Sequence, residues 1–568
     1  MLLVLNRCTF TAGRLLLLAG GLVLAAQLLY FLFGLATWMD EGNYLYGSTA
    51  WARHGLKLYS EQLPCWYTPI YFVALGWWQE IAGLGLRPGR FFSVLCFCGA
   101  LAFLVAALSG PKNPNRQAPT AAFLWLVVLS PALALYHASV SQFAFVNLQI
   151  AALIWVLFHP GPLSRDWRWL WAGLLTGGIV MTRPNFLLLL PLLMLADAWV
   201  NGWPGKRAVG SWLLACLLVN GVIVAIFGPG ALWNLIRTYP GSEPLARALG
   251  LTADPAVGSL EGGDLGLRLQ GWWATRPETF RGAHEWFLEG VIWPYLPLLL
   301  ANAFTLDRWR QRGFDRSLDA AMSLIFFVSL LFHFAATQTF CQTCALPYVN
   351  YSAIFGLVGG APSAWIAAQN LRQSLPTWFR DRAWLTWPPA RAALVAALVL
   401  LPSVSAFTAT GFYRKWIDFK TAGQVRALAA GLASTVPRDA VVLPLGIDIR
   451  LTEVIHLAGL RADPSLINFS FSIRDPIDAG AVFSKEDQSR IRRRGLWTKE
   501  LLREWLREQH RYALYREGGI IDVRCREILT DLFTSQPLLP GAEPGSPLAS
   551  YRLAIRRTTP PPQPSATP

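Results

Sequence analysis

Charge is scarce in this chain. Asp, Glu, Lys and Arg make up 15% of its residues against 54% apolar ones, and its mean hydropathy is +0.37. That balance lies far from a soluble average and reads as a polytopic membrane protein. Cysteine is sparse as well: of eight, Cys96, Cys98 and Cys216 fall inside apolar runs, which excludes a disulfide scaffold. No GxGxxG or P-loop is present, so a nucleotide cofactor or nucleotide-sugar donor is disfavoured. No internal repeat of fixed period is visible. What the chain does have is aromatic weight, with 26 Trp and 15 Tyr, as befits many lipid-water interfaces. Its net charge of +15 reads as basic cytoplasmic loops rather than as nucleic-acid binding.

Apolar runs at 15–38, 90–109, 119–137, 142–158, 168–182, 185–200, 209–228, 286–304, 318–337, 347–367 and 391–410 predict about eleven spans. The first follows Arg7 and Arg14 and lacks a small-residue cleavage site, so it is retained with a cytoplasmic N-terminus. The segment 69–84 is short for a crossing and carries Gln79-Glu80. Leaving it out puts Lys112 and Arg116, Arg165 and Arg168, Lys206 and Arg207, the arginines 308, 310, 312 and 316, and the arginines 372, 380 and 382 on the cytoplasmic side. The segment then becomes a juxtamembrane or re-entrant helix, and the external loop 39–89 holds two partly buried helices. A second external loop, 229–285, contains RLQGWWATRPETFRGAHEWF, basic and aromatic along a possible interfacial helix.

The transmembrane domain covers 1–410, and everything after it lies outside. Residues 411–558 alternate strand-like AVVLPL and YALY with helical TAGQVRALAAGLAS and TKELLREWLREQH, which predicts a soluble external α/β domain. TPPPQPSATP, 559–568, is a disordered tail. Cys341 and Cys344 form a CQTC in a short external loop. It lacks the further ligands of a zinc site and the βαβ context of a redox motif.

The candidate chemistry lies just beyond the first span, in TWMDEGNYLYGSTAWARHG. Carboxylates beside hydrocarbon are expensive and mark function. Asp40 and Glu41 precede Asn43, Tyr44, Tyr46, Ser48, Trp51, Arg53, His54 and Lys57, the polar-aromatic mixture of a sugar contact. A carboxylate at a dehydrated surface can act as general base toward a hydroxyl, or hold a divalent cation with its neighbour. The plainer reading is that Asp40 only caps the helix that follows.

The Asp-Glu after the first span, then GNYLYGSTAWARHGLKLYSE, YTPIYF and GRFFSVL, resemble the C-type integral-membrane glycosyltransferases. Within them, the chain resembles the protein O-mannosyltransferase and lipid A aminoarabinose transferase group over most of its length. WAGLLTGGIVMTRPNFLLLLP and VPRDAVVLPLGIDIRLTEVIHLAGLRADPSLIN fit as well.

The resemblance implies inverting transfer of a sugar from a polyprenyl-phosphate donor to a glycan, lipid or protein acceptor. The reaction belongs to the external face of a bacterial inner membrane. Asp40 takes the base's position, and Arg90 and Arg183 match the family's cations. Tyr44, Arg53, Tyr67, His137 and Gln142 join them as candidate substrate contacts. Lys57, Arg276, Arg281 and His284 are weaker candidates, and Glu243, Glu261 and Asp264 could contact the acceptor. Two departures stand out. Tyr67-Thr68-Pro69 replaces the Lys-Pro-Pro or His-Pro-Pro of many relatives. Where they place a second Asp, YHASVSQFAFVN offers His137, Gln142 and Asn147, with Gln142 the nearest match. A neutral amide binds no metal strongly, which leaves Glu41 as Asp40's partner for any Mg or Mn ion. The competing classes are a flippase or transporter of lipid-linked sugars and a non-catalytic membrane scaffold.

Overall fold

The computed structural model describes residues 12–37, 41–58, 68–108, 117–159, 163–186, 189–231, 295–337, 345–374, 417–445, 450–463, 499–519 and 523–557. Asp40, Tyr67, Cys341, Cys344, the run 391–410, the tail and nearly all of the loop 229–285 lie outside them.

In chain order the helices are α1 (Ala12–Gly34), α2 (Glu41–Ala52), α3 (Pro69–Ala82), α4 (Leu86–Leu108), α5 (Gln117–Val128), α6 (Pro131–Ala138) and α7 (Gln142–Phe158). There follow α8 (Arg165–Val180), α9 (Leu190–Asn201), α10 (Lys206–Phe227), α11 (Leu296–Gln311), α12 (Leu318–Thr337) and α13 (Ala345–Ser374). Among the described residues four helices are long and apolar enough to cross a bilayer, those of α1, α4, α10 and α13, and the bent pair α5–α6 makes a possible fifth. The chain is a multi-pass membrane protein.

The run 119–137 reads as one straight span, but the helix breaks at Ser130-Pro131 and turns by 70°. Pro131 has no N–H to continue the ladder, and it opens the new helix at its first position, where none is needed. Of the run 286–304 the described part lies in α11, which continues beyond it through Arg308 and Arg310.

The chain divides into two compact units. One holds 1–35, 93–223 and 266–418; the other holds 36–92, 224–265 and 419–568. In the first, α12 and α13 lie against each other and α13 against α11 and α5. Glycines make the close approach possible: a Cβ on Gly359 would come within 2.4 Å of the Ser323 hydroxyl and 2.7 Å of the Asn302 side chain.

The second unit joins the acidic loop to the C-terminal residues. Its later elements are α14 (Thr421–Thr435), β1 (Val441–Leu445), α15 (Arg450–Leu457), β2 (Arg461–Ala462), α16 (Lys499–Gln509), β3 (Tyr512–Arg516), α17 (Val523–Leu532), β4 (Phe533–Pro537) and β5 (Tyr551–Arg556). The sheet runs β2-β1-β3-β5-β4, parallel across β2-β1-β3 and antiparallel across β3-β5-β4. Leu443, Leu445, Leu506, Ala513, Ile528, Phe533 and Ala554 form its core.

Candidate functional site

Two helices fill the acidic loop, α2 and α3, and polar contacts hold them together. Gln79 donates to the Leu45 carbonyl at 3.2 Å and to the Ser48 hydroxyl at 2.7 Å. Arg53 pairs with Glu80 at 2.5 Å. The two residues that make 69–84 a poor crossing are thus the ones that tie it to α2. Close packing adds to this: a Cβ on Gly76 would lie 2.8 Å from the Ser48 carbonyl. Tyr44 is buried edge-on to Tyr71, with ring centroids 5.4 Å apart, and against Phe72 at 5.9 Å. Lys57 is exposed.

Glu41 opens α2 and has no exposed side-chain surface, while that of Arg90 in α4 is 1% exposed. Nε of Arg90 donates to Oε1 of Glu41 at 3.0 Å and Nη2 to Oε2 at 2.7 Å, and Nη2 also reaches the Ala36 carbonyl at 3.0 Å. The bidentate pair balances the charge that burial would otherwise penalise, and it fixes the backbone on both sides of Asp40. A carboxylate gripped in this way is a poor ligand for a divalent cation, which would lie against the guanidinium. Among the described residues no group of three or more His, Cys, Asp or Glu could hold a metal ion.

The C-terminal residues add a member that the sequence did not flag. Helix α15 lies against α2 and brings Glu453, fully buried, to the Thr37 hydroxyl, which donates to Oε2 at 2.7 Å. Oε1 has no hydrogen-bond partner. Burial, reinforced by the nearby Glu41 charge and opposed by Thr37, Arg90 and Arg450, pushes the Glu453 carboxyl up to about 7. One turn on, His456 is buried with neither ring nitrogen bonded, and burial beside Arg53 and His54 lowers it to about 3. Tyr46 closes the contact: its hydroxyl donates to the Ala462 carbonyl at 3.0 Å and accepts from the Ala462 N–H at 2.9 Å. Burial drives that phenol up to about 12.

His137, Gln142 and Arg183 belong to the other unit. His137 stacks on Phe97 at 4.1 Å. Asn147 donates to Nε2 of His137 at 2.8 Å and to the Asn350 carbonyl at 3.1 Å, while Tyr295 donates to the Asn350 side chain at 3.0 Å. Because the Asn147 amide nitrogen can only donate, Nε2 accepts, and Nδ1 carries the proton toward the Leu133 carbonyl at 2.7 Å. Arg183 donates to Oε1 of Gln142 at 3.2 Å and lies 5.8 Å from the centre of the Tyr351 ring. Gln142 and Arg183 are therefore in contact, 41 residues apart in sequence.

Compared with known proteins, the chain matches no protein-family model and no curated sequence. Solved structures do match. ArnT from Cupriavidus metallidurans bound to undecaprenyl phosphate aligns with a TM-score of 0.51 at 13% identity, over 97% of this chain and 100% of that one. The same protein in the apo state gives 0.53 at 12%, over 95% and 97%. The chain has the C-type membrane glycosyltransferase fold. The archaeal oligosaccharyltransferase AglB from Archaeoglobus fulgidus, in complex with an inhibitory peptide and a dolichol-phosphate, aligns at 0.46 and 10%, over 95% and 74%. Within the C-type fold, the first-loop helices that the sequence expects are present, and Glu453 is what sequence reading missed. It sits in LTEVIHL, where nothing distinguishes a buried acid from an exposed one.

Proposed function

We propose that the chain is an inverting membrane glycosyltransferase that moves a sugar from a polyprenyl-phosphate donor to an acceptor outside the cytoplasm. The observation that carries this reading is the end-to-end fold match to ArnT, whose structure holds undecaprenyl phosphate. The buried, folded acidic loop supports it, because a mere linker has no reason to bury an ion pair beside its acids.

In this reading Asp40 is the general base. The acceptor hydroxyl attacks the anomeric carbon, the bond from that carbon to the phosphate oxygen breaks, and the hydroxyl proton passes to Asp40. The electron pair leaves with the polyprenyl phosphate, whose charge needs a cation. Arg183 is the proposed phosphate contact, with Gln142 and Tyr351 holding the guanidinium. Glu41 and Arg90 act on the loop, keeping Asp40 in place rather than touching substrate. The sugar and acceptor enter from the external side of a bacterial inner membrane, with the N-terminus cytoplasmic. Residues 411–558 form the external domain, and we assign them the acceptor.

The test is transfer from a polyprenyl-phosphate sugar by the purified full-length chain in nanodiscs. Asp40→Asn is expected to lower kcat by about 10³-fold with the melting temperature unchanged. Wild-type rates in that variant would sink the base assignment. An arginine-to-glutamine change at 183 is expected to raise KM for the lipid donor.

A further inference from the structure

Both carboxylate oxygens of Glu41 are bonded by Arg90, whereas only one of those of Glu453 is bonded. Its carboxyl is fully buried and comes from a residue 416 positions away in sequence. One oxygen holds Thr37 and the other has no partner. Buried polar atoms are almost always bonded, so an orphan carboxyl oxygen calls for an explanation. Thr37 stands three residues before Asp40.

We propose that Glu453 is a positioning residue for Asp40, holding the Thr37 end of the acidic loop through a carboxyl that works in its neutral form. The inference rests on the transferase reading for its consequence, but not for its geometry. One guanidinium, Arg90, lies near two buried carboxyls and is bonded at two points to Glu41. A second buried anion would leave a net negative charge with no direct cation partner. A neutral Glu453 removes that charge, keeps Oε2 as the acceptor for Thr37, and leaves the proton on Oε1. The other charged groups on segments packed against α15 do not reverse this. Arg426 of α14 donates to its own helix at Ala422, Arg53 pairs with Glu80, and Arg461 lies beside His54 and Tyr46. Arg450, on the same helix, only moderates the effect of burial.

Neutral Glu453 as the working form has a directional consequence. As pH rises through about 7 the carboxyl ionises and a second anion is buried near Glu41. The Thr37 bond tightens but the segments packed around α15 lose stability, so wild-type transfer falls on the alkaline side. Glutamine keeps the acceptor for Thr37 and cannot ionise.

Two measurements on the full-length protein in nanodiscs decide the matter. The first is hydrogen exchange over 36–45, which needs no turnover. Glu453→Ala and Thr37→Val are expected to speed exchange there while leaving the peptides of α12 unchanged, and Glu453→Gln not to speed it. Unchanged exchange in both disruptive variants would overturn the proposal, as would global acceleration. The second is the pH profile of transfer from a polyprenyl-phosphate sugar. Glu453→Gln is expected to flatten the alkaline fall, and Glu453→Ala to cut kcat about tenfold with little change in KM. An alkaline fall that persists in Glu453→Gln would also overturn it. If the wild-type protein transfers no sugar, the functional reading fails, while the exchange experiment still decides whether Glu453 holds the loop.

Discussion

The acidic loop buries full charges, whereas the spanning helices bury mainly neutral polar groups. In the loop, Glu41 and Arg90 share two hydrogen bonds with almost no exposed surface. Among the spans, His137, Asn147, Asn350 and Tyr295 form a chain of amide, imidazole and phenol contacts in which no ionised group is needed. Exceptions are Arg183, only partly buried and leaning on an amide and an aromatic face, and Asp197 of α9, buried but held by Trp169 and Arg165. The difference follows from desolvation. A matched ion pair is tolerable where extra backbone acceptors such as the Ala36 carbonyl complete it, and neutral groups are cheaper in hydrocarbon.

That contrast can be broken at graded points. Arg90→Met should have the largest effect, because it leaves Glu41 buried and uncompensated; about 3–5 kcal/mol of stability should be lost, read by unfolding in detergent. Replacing Glu41 and Arg90 together by leucine and methionine should cost much less. If it does not, the pair is holding more than its own charges.

Glu453→Gln comes next and should stabilise rather than destabilise. The native carboxyl stands near 7 against an ordinary 4.5, so the folded state binds the extra proton between those values. Wild-type stability is therefore lost as pH rises through that window. The variant should exceed wild type by roughly 3 kcal/mol at pH 8 and by nothing at pH 4, as melting temperatures against pH would report. A constant difference would mean that the carboxyl does not titrate there.

Asn147→Leu, in the neutral network, strands the His137 ring nitrogen and should cost about 1–3 kcal/mol with little dependence on pH. A loss as large as that of Arg90→Met would erase the distinction between the two regions. The smallest effect belongs to Glu80→Gln, whose pair with Arg53 is partly exposed. About 0–1 kcal/mol is expected, shrinking further in high salt.

Much of this was legible in the sequence because it is local. Apolar runs mark α1, α4, α10 and α13 by length alone, and Gln79 and Glu80, the polar pair in 69–84, are the residues that bond α3 to α2. The alternation of AVVLPL and YALY with amphipathic helices marks β1 and β3. Pro131 by itself does not announce the break before it, because Pro362 lies inside α13 without ending that helix. Hydropathy averages across both prolines alike. Glu453 could not be read at all. Its burial and its Thr37 partner depend on two segments more than 400 residues apart, and no local pattern encodes such a meeting. Likewise, the contact of Arg183 with Gln142 comes from the packing of separate helices.

The 416-residue separation between Thr37 and Glu453 also sets an order of events during synthesis. Glu41 and Arg90 are 49 residues apart and can pair as soon as α4 has emerged, long before α15 exists. The loop is thus assembled early, while its second hold waits until α15 has been made. A ribosome stalled before residue 450 would release a protein with its helices in place and Thr37 without its carboxyl. In that sense the α15 contact marks a later stage of synthesis than the ion pair does.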